Sequence, residues 1–199
     1  MPKTFDEYGQ NDYDAAYHQL PEIGYVHQRE AVVKYGNEHY LQRRVTRVDF
    51  VARPYSAYTI SIRLRGYRAA LLDYGIVPHP EWVHLGEPED EQFIQDGLIG
   101  SDAHHIMCGN DETAAALMPQ LEKCGIGIPQ DMAVVAFDDI RYASMLKVPL
   151  TTFHQPVQQI GDLALEAMLW RLAHPTEPPR TITVAGTMIT RQSCGVESG

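Results

Sequence analysis

Met132-Ala133-Val134-Val135-Ala136-Phe137-Asp138-Asp139 is the stretch on which the fold turns. Six apolar residues in a row, followed at once by two aspartates, describe a strand covered on both faces that ends at a polar crevice. An antiparallel strand with one wet face would alternate instead. Upstream, His105-Ile106-Met107-Cys108 repeats the pattern and ends in Gly109-Asn110-Asp111. The helix between these strands runs through Ala114-Ala115-Ala116-Leu117 to Lys123, with Gly125 as its stop and Pro119 expected to kink or shorten it.

The pattern extends in both directions. Ile60, Leu64, Tyr67, Leu71 and Tyr74 form one face of a helix over 59–74, and Gly75 follows as its cap. Val48 to Ala52 reads as a strand that Arg53-Pro54 ends. Trp82 to Leu85 reads as another strand, with a weak acidic helix over 90–99. Before these, Val32, Tyr35, Gly36, His39 and Tyr40 predict a helix, and residues 1–24 a loop. Downstream, Pro156 opens a helix to Leu172 with a stripe of Val157, Ile160, Ala164 and Met168; Thr181 to Thr190 predicts a last strand. Strands and helices in alternation at this spacing predict βαβ units, a mostly parallel sheet and right-handed crossovers.

Composition removes several function classes. Of 199 residues, 26 are acidic and 16 basic, a net charge of −10 that repels phosphate backbones and leaves no basic footprint for nucleic acid. Cys108, Cys124 and Cys194 match no zinc spacing and suit a reducing cytoplasm. The first residues have no apolar signal core, and no run approaches the ~18 apolar residues of a membrane span, so neither secretion nor a membrane role is expected. No phosphate-binding loop, zinc-protease helix, serine elbow or dinucleotide fingerprint occurs, so neither a cofactor nor catalysis is expected. Asp102, His104, His105 and Cys108 lack a metal-ligand spacing.

In open α/β sheets, ligands bind beyond the carboxyl ends of the strands. That rule selects Asn110 and Asp111, Asp138 and Asp139, Arg53, and the helix bearing Arg63 and Arg65. An asparagine, a carboxylate and an arginine in one cleft offer the donors and acceptors that a neutral polyol such as a sugar requires. Other roles fit the same residues: Asn110-Asp111 as a helix cap, Asp138-Asp139 as a solvated turn, and one of Arg63 and Arg65 as a surface charge.

Several of these segments also resemble a known family. Gly125-Ile126-Gly127-Ile128-Pro129-Gln130-Asp131 through Phe137-Asp138-Asp139 is similar to the "G…P-D…V-V-x-F-D-D" segment of the lac and galactose repressor family. Pro149-Leu150-Thr151-Thr152-Phe153-His154-Gln155-Pro156, Arg63-Leu64-Arg65-Gly66-Tyr67-Arg68-Ala69-Ala70-Leu71, Cys108-Gly109-Asn110-Asp111 and Arg53-Pro54 before Ser56-Ala57 resemble other family motifs, in the family's order. The resemblance spans roughly 25–195. It implies a periplasmic-binding-protein-like type I fold: two Rossmann-like lobes with parallel sheets, the N-terminal one incomplete. Residues 1–53 and about 153–174 would form that lobe; 54–152 and about 175–199 would form the C-terminal lobe. By motif position Arg63, Asn110, Asp138 and Gln155 match the family's effector contacts, and Arg65 becomes the surface residue.

The family's aspartate is not evident in His27-Gln28-Arg29-Glu30, and no helix-turn-helix headpiece is expected in this chain. The resemblance implies the effector-binding core of a cytoplasmic, homodimeric transcription regulator. Its effector would be sugar-like or nucleobase-like, and it would reach operator DNA only through a headpiece. A solute-binding protein for transport or chemotaxis on the same two lobes is the alternative.

Overall fold

The computed structural model describes residues 45–54 and 58–195. The expected loop at 1–24, the helix near 31–40 and the segment 27–30 lie outside them.

Among the described residues, six strands form one sheet in the order β2-β1-β3-β4-β5-β6. These are β1 (Asp49–Ala52), β2 (Val83–Leu85), β3 (His105–Cys108), β4 (Ala133–Asp138), β5 (Thr151–His154) and β6 (Thr187–Ile189). The first five run parallel and β6 is antiparallel to β5. The fold is therefore α/β with a mostly parallel sheet, as expected.

Strand alternation sorts the core into two layers. Phe50, Ala52, Met107, Val135 and Phe137 meet helix α1 (Tyr58–Asp73) through Ile60, Leu64, Tyr67 and Leu71. Val51, Ile106, Cys108, Val134 and Ala136 meet helix α2 (Asp111–Lys123) through Ala114, Leu117 and Leu121. Ile94 and Leu98, from the short helical turns over 91–101, join the second layer. α1 carries the chain from β1 leftward to β2, whereas the turns and α2 carry it rightward from β2 to β4. Right-handed crossovers in opposite directions must lie on opposite faces. Both faces of the strands are thus apolar, as the unbroken run over 132–137 requires.

Four expectations are corrected. α2 continues through Pro119 to Lys123. Pro119 is exposed, so the lost hydrogen bond faces water, while buried Leu117, Met118 and Leu121 anchor the turns around it. Thr151–His154 is a strand that the proline-bounded segment 149–156 conceals. Of the expected strand 181–190, only Thr187–Ile189 joins the ladder. The fourth concerns the division of the chain. Phe50 pairs with both Val83 and Met107, so residues 49–52 share a sheet with β2 and β3 and cannot form a separate lobe with 153–174.

The described residues separate into two units, 156–184 on the one hand and 45–54, 58–155 and 185–195 on the other. In the smaller unit, helix α3 (Val157–Ala173) buries none of its residues, and Val157, Leu165, Met168, Leu169 and Leu172 are all exposed. Near its end, Trp170 stacks on His174 at 4.8 Å and carries the Arg180 guanidinium 3.4 Å above its ring. No helix among the described residues is long and apolar enough to cross a membrane.

Candidate ligand-binding site

A parallel sheet ordered 2-1-3-4-5 reverses its winding between β1 and β3, and the crevice for a ligand opens at the carboxyl ends there. Each candidate side chain of the larger unit reaches this end from a different element. Arg63 comes from the second turn of α1. Asn110 follows β3, Asp138 ends β4 and Gln155 follows β5.

Arg63 is only 9% exposed and its charge is satisfied on three sides. Nη2 donates to Asp138 Oδ1 at 2.6 Å, and Nη1 donates to the Gly109 carbonyl at 2.7 Å. The guanidinium lies 4.0 Å from the centre of the Phe137 ring, itself stacked on Phe153 at 5.2 Å. Burial pushes the Arg63 pKa down and Asp138 opposes it. Burial likewise raises the Asp138 carboxyl, against the pull of Arg63. Burial thus disfavours the charges and the short contact favours them. A guanidinium does not lose its proton near neutrality, so Arg63 presents a full positive charge to Asp138 there.

Gln155 Nε2 donates to the same Asp138 Oδ1. Among the described residues, the second oxygen, Oδ2, has only a long 3.5 Å contact from Arg63 Nη1. With the side chain 27% exposed, Oδ2 is the oxygen of this carboxylate that the described residues leave least engaged. Arg63, Asp138 and Gln155 therefore form one cluster.

Asn110 is the N-cap of α2. Its Oδ1 accepts from the Thr113 amide at 2.9 Å and from the Thr113 hydroxyl at 2.6 Å. That leaves the Nδ2 donor, which has no hydrogen bond among the described residues. The side chain thus satisfies the capping role with its oxygen alone. Arg65 is exposed, as the resemblance implied. Arg53 instead pairs with Glu87 and Glu89 beyond β1 and β2.

The two adjacent aspartates part company. Asp138 (φ 125°) faces Arg63, whereas Asp139 (φ 55°) binds Arg191 at 2.7 Å and His154 at 2.9 Å. Each carboxylate is matched to its own cation, so they do not work as an acid–base pair. Asp111, buried beneath them, is raised to about 6 by burial, with the Thr152 and Ile140 hydrogen bonds opposing. The roles of Asp111 and Arg191 escaped the sequence reading. Asp111 had only its place next to Asn110 as a signal, and Arg191 had none.

An open, doubly wound sheet with a charged cluster at its switch point defines an α/β domain of the small-molecule-binding type. The chain belongs to the family of periplasmic binding protein-like domains, whose profile matches residues 37–194. The ribose operon repressor of Haemophilus influenzae is 32% identical over 139 residues, which cover 66% of this chain and 41% of that protein. The HTH-type transcriptional repressor PurR of Aliivibrio fischeri is 25% identical over 162 residues, 78% of this chain and 48% of its own length. The chain thus spans about half the length of the curated relatives it matches. Among solved structures, the transcriptional regulator CelR–cellobiose complex superposes with a TM-score of 0.76 at 22% identity, over 88% of this chain and 56% of that one. A LacI-family regulator from Enterococcus faecium with bound ribose gives 0.71 at 24% identity, over 83% and 63%. These likenesses establish the shared fold.

Proposed function

We propose that this chain is the effector-binding core of a transcription regulator of the lac/galactose repressor (LacI/GalR) type. The observation that carries the reading is the Arg63–Asp138–Gln155 cluster at the switch point of the sheet. It offers buried, pre-oriented donors and one open carboxylate oxygen. Neutral sugars present hydroxyls that both donate and accept, and such a cluster answers both. Each charge-assisted hydrogen bond contributes about 1.5–3 kcal/mol in a desolvated site. Three or four of them suffice for micromolar binding after ordering costs.

Asn110 adds its amide donor to the same effector. The effector is a sugar, with a nucleobase-like molecule as the second class. Relatives that are an operon repressor and a transcriptional repressor favour regulation over solute transport. The chain acts by binding rather than turnover, in the cytoplasm and as a homodimer. DNA-binding headpieces engage operator DNA, and the effector acts on them by favouring one arrangement of the protein.

Thermal-shift and calorimetric titration of the chain against D-ribose, cellobiose, other neutral sugars and free nucleobases test this. The expected result is saturable binding of one sugar class that Arg63→Met abolishes. Binding that survives in both Arg63→Met and Asp138→Asn at wild-type affinity would remove the cluster from the site and overturn the reading.

A further inference from the structure

Asp138 and Asp139 follow one another with φ of 125° and 55°. Two consecutive non-glycine residues in this half of backbone space are costly, and they persist only where their surroundings hold them. The holder lies directly below. Asp111, the first residue of α2, is fully excluded from solvent. Its Oδ2 accepts from the Ile140 amide at 2.9 Å, and its Oδ1 accepts from the Thr152 hydroxyl at 2.5 Å. The same Thr152 oxygen accepts from the Asp139 amide at 3.3 Å. One buried carboxylate therefore fastens both amides that follow Asp138, one directly and one through a buried threonine.

We propose that Asp111 is a positioning residue of the ligand site. It touches no ligand, and it fixes the backbone of residues 138–140 so that the Asp138 carboxylate meets Arg63 and Gln155. The functional weight of this inference rests on the proposed binding role of that cluster; its geometric content does not. A carboxylate suits the task because it is acceptor-only, and both groups above it are donors.

The test uses the full chain without ligand. Thermal unfolding of wild type, Arg63→Met, Asp138→Asn and the double variant gives the Arg63–Asp138 coupling. The same cycle is repeated on Asp111→Ala, Asp111→Asn and Thr152→Val backgrounds. The coupling is expected to fall by more than half with Asp111→Ala. Asp111→Asn should largely restore it, because an amide oxygen can still accept from Ile140 and Thr152 can turn to accept from the amide nitrogen. Thr152→Val preserves side-chain volume and keeps the test available if Asp111→Ala does not fold. It should lower the coupling and speed hydrogen exchange at the Asp139 amide, while Ile140 stays protected.

A purely structural Asp111 would lower the melting temperature of all four proteins alike and leave the coupling unchanged. That outcome overturns the inference, as does a cycle showing no coupling in the Asp111 background. Because no ligand enters the cycle, failure to bind sugar would count against the proposed function without touching this result.

Discussion

Replacing Asp138 by asparagine removes one charge and almost nothing else. Asparagine matches aspartate in volume and tolerates positive φ about as well, so neither packing nor backbone is disturbed. What changes is the character of the contacts at Oδ1, where Arg63 and Gln155 both donate. Removing one partner of a fully buried ion pair costs about 3–5 kcal/mol, whereas an exposed pair is worth about 0–1 kcal/mol. With side chains 11% and 27% exposed, this pair lies between the limits, at about 2 kcal/mol. For a chain of this length that corresponds to a melting temperature about 4–8 °C lower. A sugar hydroxyl that met a carboxylate would now meet a neutral amide, a loss of about 1.4 kcal/mol or about tenfold in Kd.

Scanning fluorimetry reads the first effect. Calorimetric titration with the sugar that gives the largest thermal shift reads the second. Asp139→Asn is the matched control, since its carboxylate is held by Arg191 and His154 instead. It should cost stability and change affinity less than twofold. If Asp138→Asn stays within 1 °C and twofold of wild type, or if the two variants weaken binding equally, the assignment of Asp138 is wrong.

Three further outcomes follow from the same contacts. Asn110→Ser should keep the α2 cap and stay within about 0.5 kcal/mol of wild type, while Asn110→Ala loses about 1 kcal/mol. Both should weaken sugar binding, and unaltered affinity in the serine variant would leave Asn110 as a cap alone. Asp111, raised to about 6 from 3.8, keeps its proton in the folded chain after the unfolded chain has lost it. Its contribution to stability is therefore full below pH ~4 and declines as pH rises to about 6, by about 3 kcal/mol. Asp111→Asn lacks that term, so its stability relative to wild type should rise by this amount between pH 4 and 7 in denaturant titrations; a flat difference would contradict the burial argument. Finally, an added Cβ at Gly186 would stand 2.2 Å from Phe153 Cε1 and 2.5 Å from the His154 carbonyl, whereas at Gly161 it meets nothing within 4 Å. Gly186→Ala should thus destabilise by about 1–3 kcal/mol, and Gly161→Ala, inside α3, should stabilise by up to about 1 kcal/mol, both read by thermal unfolding.

The sheet was legible because its grammar is local. An apolar run such as Val134–Phe137 has one reading when helices with clear stripes flank it, and the strand ends then point to the site. β5 escaped because Thr151, Thr152 and His154 break the apolar run, although the first two are fully buried. Their hydroxyls find partners distant in sequence: Thr151 in the Arg191 carbonyl, Thr152 in Asp111. The membership of β1 escaped for a related reason. Arg53-Pro54 shows only that a strand ends there, and pairing with β2 and β3 is a non-local fact.

The site divides along the same line. Arg63 and Asp138 come from segments that delimit themselves, a helix face and a strand end, so pattern sufficed to nominate them. Nothing local says why Asp138 meets Arg63 and Asp139 does not. That choice is made by Arg191, 52 residues away, which with His154 takes Asp139, and by Asp111, which fastens the turn between them. Without that turn, strand alternation alone would send Asp138 and Asp139 to opposite faces with no preference for which met Arg63. In the proposed site, the left-handed step at 138–139 is what would convert two neighbouring carboxylates into one ligand group and one tether. Substitutions at Arg191, which leave Asp139 without its cation, should therefore alter the placement of Asp138 without touching any ligand, whereas Asp139→Asn keeps an amide oxygen that still accepts from Arg191 and so keeps the turn.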